Sequence, residues 1–127
     1  IAPVSGVMSQ PLLQSCEPTR PVPVLQTHGT DDSQIPYENV DPVIQFWTMF
    51  NQTDTDPVIT ELPDLFLDNG KRVQRFTYMN ESNGIAVEHL RIDGGDHFWP
   101  GTDGDSDINM AEEVWRFVSR YDLNGIR

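Results

Sequence analysis

Three observations predict an α/β chain with a mostly parallel sheet and flanking helices. The first is a set of apolar, β-branched-rich runs that each end near glycine. Residues 1–4 run into Ser5-Gly6, residues 22–27 into His28-Gly29, and residues 86–92 into Asp93-Gly94-Gly95. The second is helical periodicity in the segments that alternate with these runs. The third is that two of the runs deliver a titratable side chain just past their ends, where open α/β sheets keep their active sites.

The elements follow in order. Residues 1–4 read as a buried strand closed by a turn. Residues 9–20 are polar and interrupted by Pro11 and Pro18, so they read as a surface loop. Residues 22–27 are a second strand. Val40, Val43, Ile44, Trp47 and Phe50 recur at offsets of three and four, which places them on one helix face, with Asp41 and Pro42 at its start. Residues 58–62 and 73–79 are strand-like and separated by Pro63 and Asp68-Asn69-Gly70, an expected antiparallel pair. Residues 86–92 form the next strand. A last helix is expected to be capped by Asp107 or Asn109, with Met110, Ala111, Val114, Trp115, Val118 and Tyr121 on its apolar face. Asn124-Gly125 is the expected end of that helix.

The chain has 127 residues, enough for one domain with a single core. Eight basic and 20 acidic residues give a net charge of −12. That sign repels phosphate backbones and anionic lipid, so neither nucleic acid nor a membrane surface is an expected partner. No apolar run approaches the ~20 residues of a membrane-spanning helix. The single cysteine, Cys16, excludes an intrachain disulfide and leaves three readings open: an apolar filler, a reactive thiol, or half of a bridge to sequence outside this chain.

The chemistry concentrates in two strand-end stretches. One is His28-Gly29-Thr30-Asp31-Asp32 and the other Gly94-Gly95-Asp96-His97. A serine hydrolase needs a carboxylate to hold an imidazole in one tautomer and to stabilise the imidazolium formed in turnover. Asp32 and His97 supply that pair in the order acid then base. Either residue alone is equally well read as a turn residue; the order and the strand-end placement favour the pair.

At these residues the chain resembles the esterase family of polyhydroxybutyrate depolymerases and feruloyl esterases. The resemblance rests on His28-Gly29-Thr30-x-Asp32 with Ile35-Pro36-Tyr37, and on Gly95-x-His97-x-Trp99-Pro100-Gly101. Residues 1–6, Glu61-Leu62-Pro63-Asp64 and Val114-Trp115-Arg116-Phe117 are similar to the family as well. It implies an α/β-hydrolase fold, with Asp32 as triad acid and His97 as general base. It implies no metal or organic cofactor, a secreted or periplasmic location, and a substrate that is an ester-bearing polymer or small ester. It also implies a Gly-x-Ser-x-Gly elbow, and this sequence has none. Residues 1–127 are therefore expected to be the C-terminal part of a single catalytic domain, whose nucleophile-bearing N-terminal part is its partner. On its own the chain is expected to be inert.

Phe98, Trp99 and Tyr37 are candidates for the substrate pocket, although for Trp99 the favoured reading is a rigid wall packed over the loop. Asp96 stands where the family usually has a third glycine, and a carboxylate there favours imidazolium if it reaches the ring. The family's usual cysteine pair is absent. Asp103, Asp105 and Asp107 invite a calcium reading, but the EF-hand spacing fails at Ile108 and Val114. Asn51-Gln52-Thr53 and Asn80-Glu81-Ser82 match the glycan acceptor pattern. The competing function is a non-catalytic polymer- or carbohydrate-binding module that uses Trp99; a peptidase is a third possibility.

Overall fold

The computed structural model describes residues 1–101 and 106–127. The Asp-rich loop considered for calcium lies largely outside the described residues. A four-stranded sheet is built from β1 (Val24–Gly29), β2 (Val58–Glu61), β3 (Arg72–Asn80) and β4 (Ile85–Asp93) in the order β1-β4-β3-β2. The helices are α1 (Gln10–Ser15), α2 (Val40–Asn51) and α3 (Met110–Val118); a small hairpin, β5 (Tyr121–Asp122) with β6 (Gly125–Ile126), ends the chain.

The sheet is mixed, and this overturns the mostly parallel α/β-hydrolase sheet expected above. Only β1 and β4 run parallel within it; β3 is antiparallel to both β4 and β2. The physical reason lies in the connections. Residues 81–84 join β3 to β4, too short a link for the crossover that parallel neighbours need. Asn80 organises this turn, its Oδ1 accepting from the Ser82 N–H (3.0 Å) and its carbonyl from the Gly84 N–H (2.8 Å). The antiparallel pairing of β2 with β3 agrees with the sequence reading. So does the side-by-side placement of the β1 and β4 ends, since His28 pairs with Arg91 and Gly29 with Ile92. Residues 1–5 lie along the free side of β1, with Val4 bridged to Thr27 in parallel.

Side chains alternate across this sheet, so β1, β3 and β4 feed two cores, while β2 is exposed along its length. Leu25, Val73, Ala86, Leu90 and Ile92 pack with Met110 and Phe117 of α3 on one face. Val24 and Val87 pack with Val40, Val43, Ile44 and Trp47 of α2 on the other. Helix α2 covers the sheet with the stripe its spacing predicts, whereas the α3 stripe is amended, since Ala111 and Trp115 of its expected face are exposed. Trp115 is 69% exposed, and Phe117 rather than Trp115 is the buried aromatic of α3.

Three further local expectations change. Residues 10–15 form a helix, although it buries none of its residues. Helix α3 stops at Val118, and Asn124-Gly125 turns the terminal hairpin instead of ending a helix. Asn51 is buried and exchanges two hydrogen bonds with the Val22 backbone (2.9 and 2.7 Å), so it is no glycan acceptor. The cap of α3 is Asn109, whose Oδ1 accepts from the N–H groups of Ala111 and Glu112. Glu88 of β4, 2% exposed, receives Arg116 and Arg120 at 2.5 Å each, which ties α3 to the sheet. No helix among the described residues is long and apolar enough to cross a membrane.

Candidate active site

The parallel pairing of β1 with β4 delivers two loops to one edge of the sheet. They cross at van der Waals limit. A Cβ on Gly29 would lie 2.1 Å from the carbonyl oxygen of Gly95, so only glycine lets the strands end this close together. Hydrogen bonds then lock the crossing. The Thr30 N–H donates to the Ile92 carbonyl (3.0 Å), the Asp31 N–H to the Gly95 carbonyl (2.9 Å), and the Gly94 N–H to the Thr30 hydroxyl (2.9 Å).

Asp32 begins the turn beyond β1. Its Oδ1 accepts from the N–H groups of Gln34 (2.9 Å) and Ile35 (2.8 Å), the local bonding that aspartate favours in turns. Its other oxygen, Oδ2, faces His97 Nδ1 at 3.0 Å. The Asp32 side chain is wholly buried, whereas the imidazole of His97 is 32% exposed. Burial works to raise the Asp32 pKa, but the Ile35 and Gln34 N–H groups and the His97 imidazole together hold the carboxyl below its ordinary value. Asp32 therefore stays ionised. An ionised carboxylate only accepts, so Nδ1 of His97 carries a proton and, in the neutral ring, Nε2 keeps the lone pair. That is the tautomer a general base requires.

Asp96 accepts its hydrogen bonds from the loop backbone and from Ser33. Its Oδ1 accepts from the Ser33 N–H (2.8 Å), the Ser33 hydroxyl (2.8 Å) and the His97 N–H (2.7 Å). Those donors, the Ser33 N–H foremost, hold its carboxyl below the ordinary value. Asp96 is a staple between the Asp32 and His97 loops.

The pocket candidates separate. Phe98 is half-buried beside the α3 core with the Lys71 ammonium 5.1 Å from its ring centre, and Trp99 is 45% exposed. Tyr37 turns toward the α2 side, where its hydroxyl lies 2.9 Å from His89 Nε2. His89 Nδ1 is 3.0 Å from the Gln26 carbonyl, which only accepts, so Nδ1 carries the proton and Nε2 accepts from Tyr37. Burial pushes the His89 pKa down to about 4 and the Tyr37 pKa up to about 12. Two hollows of about 440 Å³ each exist, one bounded by Val7, Met8, Gln26 and Trp47 and the other by Leu62, Phe66, Ile108 and Glu112. Neither is lined by His97, Phe98, Trp99 or Tyr37.

Sequence reasoning missed two residues at this edge. Ser5 is buried at φ +52°, a left-handed conformation uncommon for serine, and its hydroxyl donates to the Phe98 carbonyl at 3.2 Å. His28 is fully buried with Nε2 3.1 Å from Asp32 Oδ2. A histidine four residues before the acid was a visible signal for the second. Nothing local signalled the first, because Phe98 lies 93 residues further along the chain.

No protein-family profile matches the sequence. Among curated proteins it is similar to a bifunctional acetylxylan esterase/xylanase of Neocallimastix patriciarum, 25% identical over 107 residues. The alignment covers 84% of this chain and 14% of that relative, so the chain spans a small part of the protein it matches. The likeness is to a region of a protein named for esterase and xylanase activities.

Proposed function

We propose that this chain supplies the acid and base of a serine carboxylic-ester hydrolase acting on esters of a polysaccharide or polyester, as in the polyhydroxybutyrate depolymerase and feruloyl esterase type. The observation that carries the reading is the contact between Asp32 Oδ2 and His97 Nδ1, made by a buried, ionised carboxylate and a solvent-reachable imidazole. The nucleophilic serine comes from outside these 127 residues, because no Gly-x-Ser-x-Gly motif occurs among them.

In this reaction His97 Nε2 takes the proton of the serine hydroxyl as its oxygen attacks the ester carbonyl. The imidazolium then returns that proton to the leaving alcohol, which gives an acyl-enzyme. Water attacks the acyl group in the second half, and His97 again takes and returns the proton. Asp32 keeps Nδ1 protonated and stabilises the imidazolium throughout. An extracellular or periplasmic setting goes with a polymeric substrate.

The test uses the longer protein that carries this chain with its serine. On p-nitrophenyl acetate and on acetylated xylan, His97→Ala is expected to lower kcat by about 10⁴-fold or more. Near-normal turnover in that variant overturns the assignment. Binding of the polymer with no ester cleavage by the unaltered protein favours the accessory-module reading instead.

A further inference from the structure

We infer that His28 is a positioning residue for the Asp32–His97 pair, holding the Asp32 carboxylate in the rotation that presents Oδ2 to His97. For its catalytic consequence the inference rests on the esterase reading; its structural content does not.

His28 is the next-to-last residue of β1 and is 0% exposed. Its Nε2 lies 2.9 Å from the Ile35 carbonyl oxygen and 3.1 Å from Asp32 Oδ2. Both oxygens only accept, and a bare nitrogen lone pair facing them is repulsive, so Nε2 carries the ring proton. The choice of tautomer leaves Nδ1 as an acceptor, and Nδ1 is buried with no hydrogen-bond partner among the described residues. A buried nitrogen left without a partner carries a desolvation cost that a side chain serving only to fill space does not incur. The arrangement is accounted for if the Nε2–H is what the position requires.

The two oxygens beside Nε2 belong to one turn: the Nε2–H donates to the Ile35 carbonyl, and Asp32 Oδ2 is its close charged neighbour. Ile35 donates its N–H to Asp32 Oδ1 and presents its carbonyl to His28, so the imidazole closes the turn from inside the protein. Oδ1 is also held by Gln34, while Oδ2 contacts an imidazole that is one-third exposed. Rotation about the carboxylate bond is soft, with broad wells. With Nε2–H beside it, Oδ2 has a fixed neighbour on its buried side and keeps its direction when the His97 ring moves.

The test compares His28→Gln, which places an N–H near the Nε2 position, with His28→Met, of similar length and without a donor. In the longer protein that carries this chain, the readout is the low-field proton of His97 Nδ1–H on Asp32, followed by NMR together with amide dispersion as a check of folding. The signal is expected to persist in the unaltered chain and in His28→Gln. In folded His28→Met it is expected to exchange with water at least tenfold faster, and His28→Phe serves as a second donor-free variant. In the longer enzyme, His28→Met is expected to lower kcat about tenfold with KM within twofold, and His28→Gln to restore most of it. An unchanged signal in a folded donor-free variant overturns the inference, as does equal loss in His28→Gln. If His97→Ala leaves ester turnover intact while the His28 variants behave as expected, the esterase reading fails and this inference stands.

Discussion

Asp32 Oδ2 and His97 Nδ1 lie 3.0 Å apart although one side chain is fully buried and the other one-third exposed. The contact depends on β1 and β4 being parallel neighbours that end in register, with Gly29 opposite Ile92. The carboxylate is fixed by its own turn, and the imidazole is brought to it by a loop pinned through Asp96 and Ser33. Four predictions follow from how that edge and its supports are built.

Gly29→Ala places a methyl group 2.1 Å from the Gly95 carbonyl oxygen, an atom of backbone that is itself hydrogen-bonded to Asp31. Relief requires the two strand ends to part. Unfolding by urea should show a loss of about 3 kcal/mol, at the upper end for overpacking. Gly70→Ala is the control: its φ is +69° but nothing lies within 4 Å, so only the left-handed strain of about 1 kcal/mol is expected.

Acid should weaken the fold before the carboxylates titrate. The His89 pKa is about 4 folded against 6.5 for the free side chain. Between those values the unfolded chain binds the extra proton, so stability is full above pH 6.5 and falls as pH drops toward 4. The shift corresponds to about 3 kcal/mol. His89→Gln should flatten this limb in a series of urea titrations from pH 7 to 4. The lowered Asp32 and Asp96 values contribute stability that is present above 3.8 and lost further down, as pH falls through their folded values.

Glu88 is 2% exposed, whereas Arg116 and Arg120 are each about one-third exposed. The two sides of this cluster should therefore respond unequally. Removing both guanidinium groups in Arg116→Ala/Arg120→Ala leaves a buried carboxylate with Arg75, 3.6 Å away, as the guanidinium still beside it, and should cost about 3–5 kcal/mol. Glu88→Leu leaves arginines that can reach water and should cost less. Thermal unfolding of the variants, compared at matched pH, checks the order; a Glu88→Leu chain less stable than the double variant contradicts it.

Ser5 combines an unfavourable φ of +52° with a useful hydroxyl. Ser5→Ala keeps the strain and loses the bond to the Phe98 carbonyl, a cost of about 1 kcal/mol. Ser5→Gly loses the same bond but relieves about 1 kcal/mol of strain. Glycine should thus be tolerated better than alanine here, the reverse of the order expected from unfolded-chain entropy alone. Melting temperatures of the two variants decide the point.

Much of the candidate site was legible because its causes are local. Asp32 is held by N–H groups two and three residues on, Asn109 caps the helix that follows it, and the α2 stripe from Val40 to Trp47 is buried as its spacing indicates. The glycines at 29 and 95 marked the places where two backbones meet. Ser5, Tyr37 and Phe117 were less legible, since their partners or their burial depend on segments far away in the chain.

By itself the sequence determined the strand ends, the turn that ionises and orients Asp32, and the candidate pairing of that residue with His97. The tertiary structure decided the rest: that β3 and β4 form an antiparallel hairpin in a mixed sheet, that Tyr37 spends its hydroxyl on His89, and that His28 comes to lie against the acid. The division has one cause. Turns and caps are set by bonds between residues two to four apart, whereas strand direction and neighbour order depend on connection lengths and on which apolar faces can be buried together.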